Sequence, residues 1–399
     1  MNEFKNKKIL IIGTGYGQLP IITKCKELGI YSIGVDVNPK SVGANFVDIF
    51  ENIDVTNLKK CLQIAEKYKV DGVVTMQSDF GVPTVGYINS KINLNGINFD
   101  TAKICTDKEL LREKLKNSII KQPNFEIVDD LNQVISAVEE IGCPCIVKPV
   151  DSSGSKGVKR VDNLENAKDA FLEAKRYSKL GKVIIEKFIK GEEFGAQTFS
   201  LKNNSPLIFF HNDKMSTNGF FVPIGHSYPL KNKIELKKYY SQIENVLENI
   251  GILDGPANID LIIDEKGDMY IIEIGARVGA TCLLELTSRH TGLDWTNLII
   301  KSCLGKLNHL LVAERNPCAA QILQSPKDGK LVDINFNLDL KKFSNFDPDV
   351  EITAKIGQNV SLLRKGTDRI GKVVVSADSL NNAESICNEI ISKIEFKVE

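Results

Sequence analysis

Histidine is scarce in this chain, with four in 399 residues, and none falls into the Ser-His-Asp or Cys-His arrangement that a side-chain nucleophile needs. Net charge is absent too, with 51 basic residues against 51 acidic ones. No long-range field gathers a polyanion, which makes nucleic acid a poor partner. No apolar run is long enough for a membrane helix. The amino terminus, MNEFKNKKILIIGTGYGQ, has a short apolar run with no small-residue cleavage site, so no secretion signal is read. Nine cysteines, from Cys25 to Cys387, share no repeated pair spacing. That argues against a disulfide framework or a zinc knuckle and for reduced thiols in a cytoplasmic protein. The close pair Cys143-Pro144-Cys145 reads as core packing, because a strand must form there. No internal repeat is visible.

What is present is ordinary globular material, 42% hydrophobic and 26% charged. The length suits two or three packed domains. Lys8 to Ile12 is a β-rich run followed by Gly13-Thr14-Gly15-Tyr16-Gly17, a helical stretch to Leu28, and a second strand, Ser32 to Asp36. This βαβ opening invites a dinucleotide site, but the third glycine of the GxGxxG fingerprint is Gln18, which favours a doubly wound domain without one. Strands at Val47 to Phe50 and Gly72 to Met76 flank a helix from Asn57 to Tyr68. The spacing puts a domain boundary near 105, where the charged stretch Thr106 to Arg112 begins with Thr106 or Asp107 as its cap.

Three later stretches carry chemistry. Strand Cys145 to Pro149, loop Asp151-Ser152-Ser153-Gly154-Ser155-Lys156-Gly157 and strand Val158 to Val161 read as an antiparallel hairpin. Its loop offers unobstructed N–H groups and hydroxyls to anionic oxygens. It is not the strand-loop-helix phosphate loop, since GxxxxGK[ST] is missing; the plain alternative is an exposed hairpin tip. Lys148, inside the apolar strand, needs an anion. Val183 to Ile189 is an apolar strand leading into a charged linker with Glu192 and Glu193. Ala257 to Arg277 reads as a hairpin turning at Lys266-Gly267, and period-two alternation sets Asp260 opposite Glu273. Two carboxylates so placed repel unless a cation lies between them, and magnesium with nucleotide phosphates is the usual solution. Arg277, just beyond, suits charge developing on a phosphoryl or tetrahedral oxygen.

In order and rough spacing these residues resemble the ATP-grasp superfamily, which includes biotin carboxylase, the carbamoyl phosphate synthetase large chain, D-alanine-D-alanine ligase and many amino-acid ligases. The resemblance implies an α/β fold: a doubly wound, Rossmann-like domain over residues 1–105, a two-lobed ATP-grasp α+β domain over 106–305 with its lid at about 143–190, and a small C-terminal α+β cap over 306–399. It implies that Lys108 and Lys148 hold nucleotide phosphates, that Glu186 with Lys187, Phe188 and Ile189 forms the adenine-facing hinge, and that Glu193 binds ribose. It further implies that Ser152, Ser153, Gly154, Ser155 and Gly157 belong to the lid loop, and that Asp260 and Glu273 are magnesium ligands. The cofactors it implies are ATP and Mg2+, two ions, with Mn2+ as a substitute. Where many members read Glu-x-Asn-x-Arg, this chain reads Glu273-Ile274-Gly275-Ala276-Arg277, so one ligand is replaced by a residue without a side chain.

The implied activity is an ADP-forming carboxylate-amine ligase that works through an acyl phosphate and joins an amino acid or similar small carboxylate to an amine, with Arg277 and Lys148 catalytic. Its partners are small-molecule carboxylate and amine substrates, with no nucleic acid and no membrane, and a homodimer is left open. Lys214 and His226, in His211-Asn212-Asp213-Lys214 and Pro223 to Pro229, join Arg277 as candidates to face substrate. Two other readings stay open: a bicarbonate-using carboxylase or carbamoyl-forming enzyme, and a catalytically silent nucleotide sensor in which Gly275 has cost the second metal. Strands at Val350 to Ile356 and Ile370 to Ser376 and a helix at Ala383 to Ile394 complete the chain, and Arg369 reads as a structural ion-pair residue.

Overall fold

A computed structural model describes residues 3–216, 222–231, 236–307, 309 and 315–399. The opening run forms β1 (Lys8–Ile12), followed by α1 (Leu19–Leu28), β2 (Tyr31–Asp36), β3 (Ile49–Asn52), α2 (Leu58–Tyr68), β4 (Gly72–Val74) and α3 (Val82–Ile92). The strands make a parallel sheet in the order β3-β2-β1-β4, the expected doubly wound arrangement. Asn57 caps α2 through the Lys60 N–H. β3 starts two residues later than the sequence predicts, because the Asp48 carboxylate accepts from the N–H and hydroxyl of Ser32 and holds that stretch in a turn. β4 stops at Val74, because the Met76 N–H is taken by the Gln18 side chain instead of a ladder partner.

α4 (Phe99–Ile104) and α5 (Lys108–Lys114) lead into the second domain, and Asp107 caps α5 by accepting from the N–H of Glu109 and Leu110. β5 (Phe125–Val128), α6 (Val134–Ile141), β6 (Cys145–Pro149), β7 (Lys159–Val161), α7 (Ala167–Tyr177) and β8 (Val183–Lys187) form a lobe with an antiparallel sheet ordered β5-β8-β6-β7. Helices α6 and α7 cover it, burying Val138 and Phe171 against Val147 and Ile185. Each such side chain contributes roughly 1.5–3 kcal/mol on leaving water.

The remaining elements are β9 (Gly191–Leu201), β10 (Asn204–Met215), β11 (Pro223–Tyr228), α8 (Leu236–Ile250), β12 (Gly255–Asp264), β13 (Met269–Gly275), α9 (Leu283–Thr291), α10 (Trp295–Cys303), β14 (Cys318–Leu323), β15 (Gly329–Phe336), β16 (Asp349–Ile352), β17 (Asn359–Val360), β18 (Gly371–Ser376), α11 (Leu380–Ser392) and β19 (Ile394–Val398). An eight-stranded sheet runs β13-β12-β9-β10-β11-β14-β18-β16, crossing residue 305 without a break, and β17-β15-β19 form a smaller sheet. Tyr239, Ile243 and Val246 of α8 pack on Ile259 and Leu261 of β12. Elsewhere Trp295 of α10 meets Phe199 and Phe209 edge-on and shares a core with Ile9, Ile11 and Ile22 of the first domain. The first domain is thereby fixed against the large sheet. α11 begins three residues before the predicted start, because Ser379 caps it through the Asn382 N–H. No helix among the described residues is long and apolar enough to cross a membrane, and all nine cysteines are free thiols.

Candidate functional site

Between the β5-β8-β6-β7 lobe and the large sheet lies a cavity of about 340 Å³, a size that suits a small ligand. Its floor is the β12–β13 hairpin. Asp260 and Glu273 stand in register as the alternation predicts, with a bulge immediately after Asp260. Burial, then the carboxylates of Glu273 and Asp213, push Asp260 up to about 7. Such a shift marks a buried cluster of carboxylates whose burial and mutual repulsion outweigh the nearby Arg277 cation. The donors here are hard carboxylate oxygens, which fit a magnesium ion.

The opposite wall is cationic. Asp107 starts α5 so that Lys108 points into the cleft, where its Nζ lies 2.8 Å from the Ser152 carbonyl and 3.2 Å from Glu273 Oε1. Lys148 is buried in β6, with its Nζ 2.7 Å from Glu186 Oε2. The other Glu186 oxygen accepts from Arg112 Nε at 2.9 Å, and Arg112 Nη2 donates to the Ile272 carbonyl at 2.8 Å. Burial works against the charge on Glu186, but Arg112 and Lys148 together hold its pKa down to about 2. The Glu186 carboxylate is therefore occupied by two cations. Along the same segment the N–H groups of Lys187 and Phe188 donate to the carbonyls of Asn124 and Pro144. Glu186, Lys187, Phe188 and Ile189 all line the cavity.

Ser152, Ser153, Gly154 and Ser155 border the cavity from the side of the β5-β8-β6-β7 lobe, and so does Lys156. Gly154 has φ 70 and open space where a side chain would go. Gly157 is not brought to the cavity; it is pressed against Tyr177 and Ala174 with φ 72. Glu193 is present, with its carboxyl raised by burial and then by Asp213.

Arg277 enters the cavity from the end of β13, and its Nη2 is 2.8 Å and 2.9 Å from the two oxygens of Asp79. His226 also lines the cavity, with its Nδ1 2.7 Å from Asp213 Oδ1, while His211 Nδ1 reaches the same oxygen at 2.8 Å. Burial lowers the His226 pKa despite the opposing Asp213 carboxylate. Lys214 points elsewhere. On β10 it alternates away from Asp213, and its ammonium is bound to Gln321 and Asn388.

Several cavity residues escaped the sequence reading: Asp79, His211, Asp213 and Asn258 line the cavity, and Arg112 supports it from behind. Asn258 had a signal: it pairs with Gly275 in the same register that sets Asp260 against Glu273, and its amide donates to Asp260 Oδ1 at 3.0 Å. Asp79 had none, being 198 residues from Arg277 in sequence.

In the glycine-rich loop of the first domain, Gln18 grips Met76 through both its amide N–H and its carbonyl. Asp36 accepts from the N–H groups of Thr14 and Asn38. Both residues that a dinucleotide reading would question are therefore committed to holding the loop.

Residues 105–281 match the model of the ATP-grasp domain, and residues 321–399 match that of the L-amino acid ligase C-terminal domain 2. The chain is 28% identical over 326 residues to the carbamoyl phosphate synthase large chain of Clostridium acetobutylicum, a match covering 75% of this chain but 29% of that protein's length. Among solved structures, a phosphoribosylglycinamide synthetase from Anaerococcus prevotii superimposes with a TM-score of 0.81 at 27% identity, covering 99% of this chain and 100% of that one. An L-amino acid ligase from Bacillus licheniformis shares the fold with a TM-score of 0.82 at 21% identity, covering 99% of each chain.

Proposed function

We propose that this chain, whose residues 105–281 match the ATP-grasp domain, is an ADP-forming carboxylate-amine ligase that works through an acyl phosphate and joins an amino acid or similar small carboxylate to an amine. The observation that carries the reading is the convergence on one cavity of two cations, Lys108 and Lys148, and two carboxylates, Asp260 and Glu273, with Lys108 Nζ 3.2 Å from Glu273 Oε1. A carboxylate is a poor electrophile, and phosphorylation by ATP gives it a leaving group. An amine then attacks the acyl carbon and phosphate departs.

In this reading Lys108 and Lys148 hold the nucleotide phosphates and offset charge on the moving phosphoryl group. Asp260 and Glu273 hold Mg2+, which when bound supplies Lewis-acid neutralisation of phosphate charge. Arg277, which lines the same cavity, takes the role of offsetting charge on the oxyanion of the tetrahedral species. Glu186 positions Lys148, and Glu193 and the Lys187–Ile189 backbone meet the nucleoside. The serine-rich lid loop excludes water from an intermediate that hydrolyses readily. Gly275 removes one side-chain ligand, and Asn258, opposite it in register, sets an amide beside Asp260 with its oxygen held by Gln197.

The test is ADP release measured over a panel of carboxylates and amines with magnesium, followed by mass spectrometry of the product. Amine- and carboxylate-dependent ADP formation, lost in Asp260→Asn, supports the ligase. Release driven by bicarbonate alone would replace it with a carboxylating enzyme, and nucleotide binding without turnover across the panel would make the chain a sensor.

A further inference from the structure

Gly275 ends β13 with a φ outside the left-handed region, so backbone conformation does not demand glycine there. A Cβ on residue 275 would lie 2.9 Å from Arg277 Cζ and 3.0 Å from Asp79 Oδ1. The Arg277–Asp79 ion pair therefore lies directly against Gly275. Asp79 comes from the first domain, in the short helical turn Asp79–Gly81, and lines the cavity beside Arg277.

Both partners of this pair are mostly buried, with side-chain exposures of 13% for Arg277 and 18% for Asp79. Within the cavity the pair is one positive and one negative group held side by side with no net charge. A zwitterion can replace it without leaving either charge unpaired: the ligand's carboxylate takes the place of Asp79 on Arg277, and its ammonium takes the place of Arg277 on Asp79. A carboxylate without an ammonium strips Asp79 of its partner and leaves that charge uncompensated. The site thus discriminates by a penalty on the wrong ligand, which is stronger than discrimination by missing contact area.

We propose that Asp79 is the specificity residue that receives the ammonium group of an α-amino acid whose carboxylate is held by Arg277. This deepens the ligase reading by naming the residue that recognises the amino group of its substrate, and it rests on that reading for the role of Arg277. Asp79 pairs with Arg277 in the structure, and the incoming amino acid satisfies both.

The experiment is calorimetric titration of the full chain, saturated with Mg2+ and ADP, with proteinogenic amino acids, each beside its N-acetyl derivative. ADP binding is measured first, and steady-state ADP release is followed in parallel. We expect at least one amino acid to bind roughly 100-fold more tightly than its N-acetyl form. In Asp79→Asn the amino acid falls to the level of the N-acetyl form while ADP affinity holds. Equal binding of the amino acid and its N-acetyl form by the unaltered chain, no binding of any amino acid, or a preference that survives Asp79→Asn would each overturn the proposal. The ligase reading fails separately: amino acids that bind through Asp79 but never drive ADP release uphold this assignment and sink that reading. Turnover of carboxylates irrespective of an amino group does the reverse.

Discussion

The two walls of the cleft are charged in opposite senses, and they are not equally at rest. On the cationic wall Lys148 and Arg112 share Glu186, whose pKa falls to about 2 under their influence. On the carboxylate wall Asp260 faces Glu273 with Asp213 nearby, and its pKa climbs to about 7. The Glu186 carboxylate is satisfied from within. On the carboxylate wall Glu273 has Lys108 at 3.2 Å, but burial and the neighbouring carboxylates still hold Asp260 up to about 7, and that is the physical case for a metal ion.

The sharpest way to break this contrast is Glu273→Gln. If the carboxylate wall exists to hold a cation, ADP formation at saturating carboxylate and amine should fall by about 10³-fold, equivalent to about 4 kcal/mol. Retention of more than a tenth of wild-type activity would refute the assignment. On the other wall, Arg112→Met should cost stability more than chemistry. It leaves Glu186 buried with one cation instead of two, and urea denaturation should show a loss of roughly 3 kcal/mol. An unchanged midpoint would mean that Lys148 alone satisfies Glu186.

pH offers a gentler probe of the same difference. Asp260 has a folded pKa raised above its ordinary value, so the folded, metal-free chain binds a proton there that the unfolded chain has lost. Its contribution to stability is largest in acid and declines as pH rises from about 4 to about 7. A cation must displace that proton, so Mg2+ affinity should drop by about tenfold per pH unit below 7. Isothermal titration at pH 6 and pH 8 measures this, and Asp260→Asn should flatten the dependence. The smallest effect belongs outside both walls. Lys214→Ala removes an ammonium bound to Gln321 and Asn388, and steady-state rates should change by less than about twofold. A larger fall would bring Lys214 back into the substrate path.

The difference between Lys214 and its neighbour Asp213 shows where the sequence stops being legible. Alternation places the two on opposite faces, but β10 is a central strand with four consecutive buried residues, Ile208 to His211. With both faces covered, hydrophobic pattern does not reveal which face meets the cleft. The β12–β13 hairpin is the opposite case. Its turn at Gly267 is short and its pairing local, so the register of Asp260 and Glu273 could be counted directly from the chain. Gln18 lies between these extremes. Its presence argued against a dinucleotide fingerprint, yet its job of gripping Met76 depends on a residue 58 positions away.

By itself the sequence determined the doubly wound opening, the carboxylate pair of the hairpin and the lysine in an apolar strand, because each follows from short-range periodicity and the cost of burying charge. Tertiary structure alone decided that Arg112 would share Glu186, that Asp79 would reach Arg277 across 198 residues, and that this contact would lie against Gly275. The reason is physical: periodicity fixes which way a side chain points along its own element, while the identity of what it meets depends on how separate elements pack, and no local pattern encodes that distance.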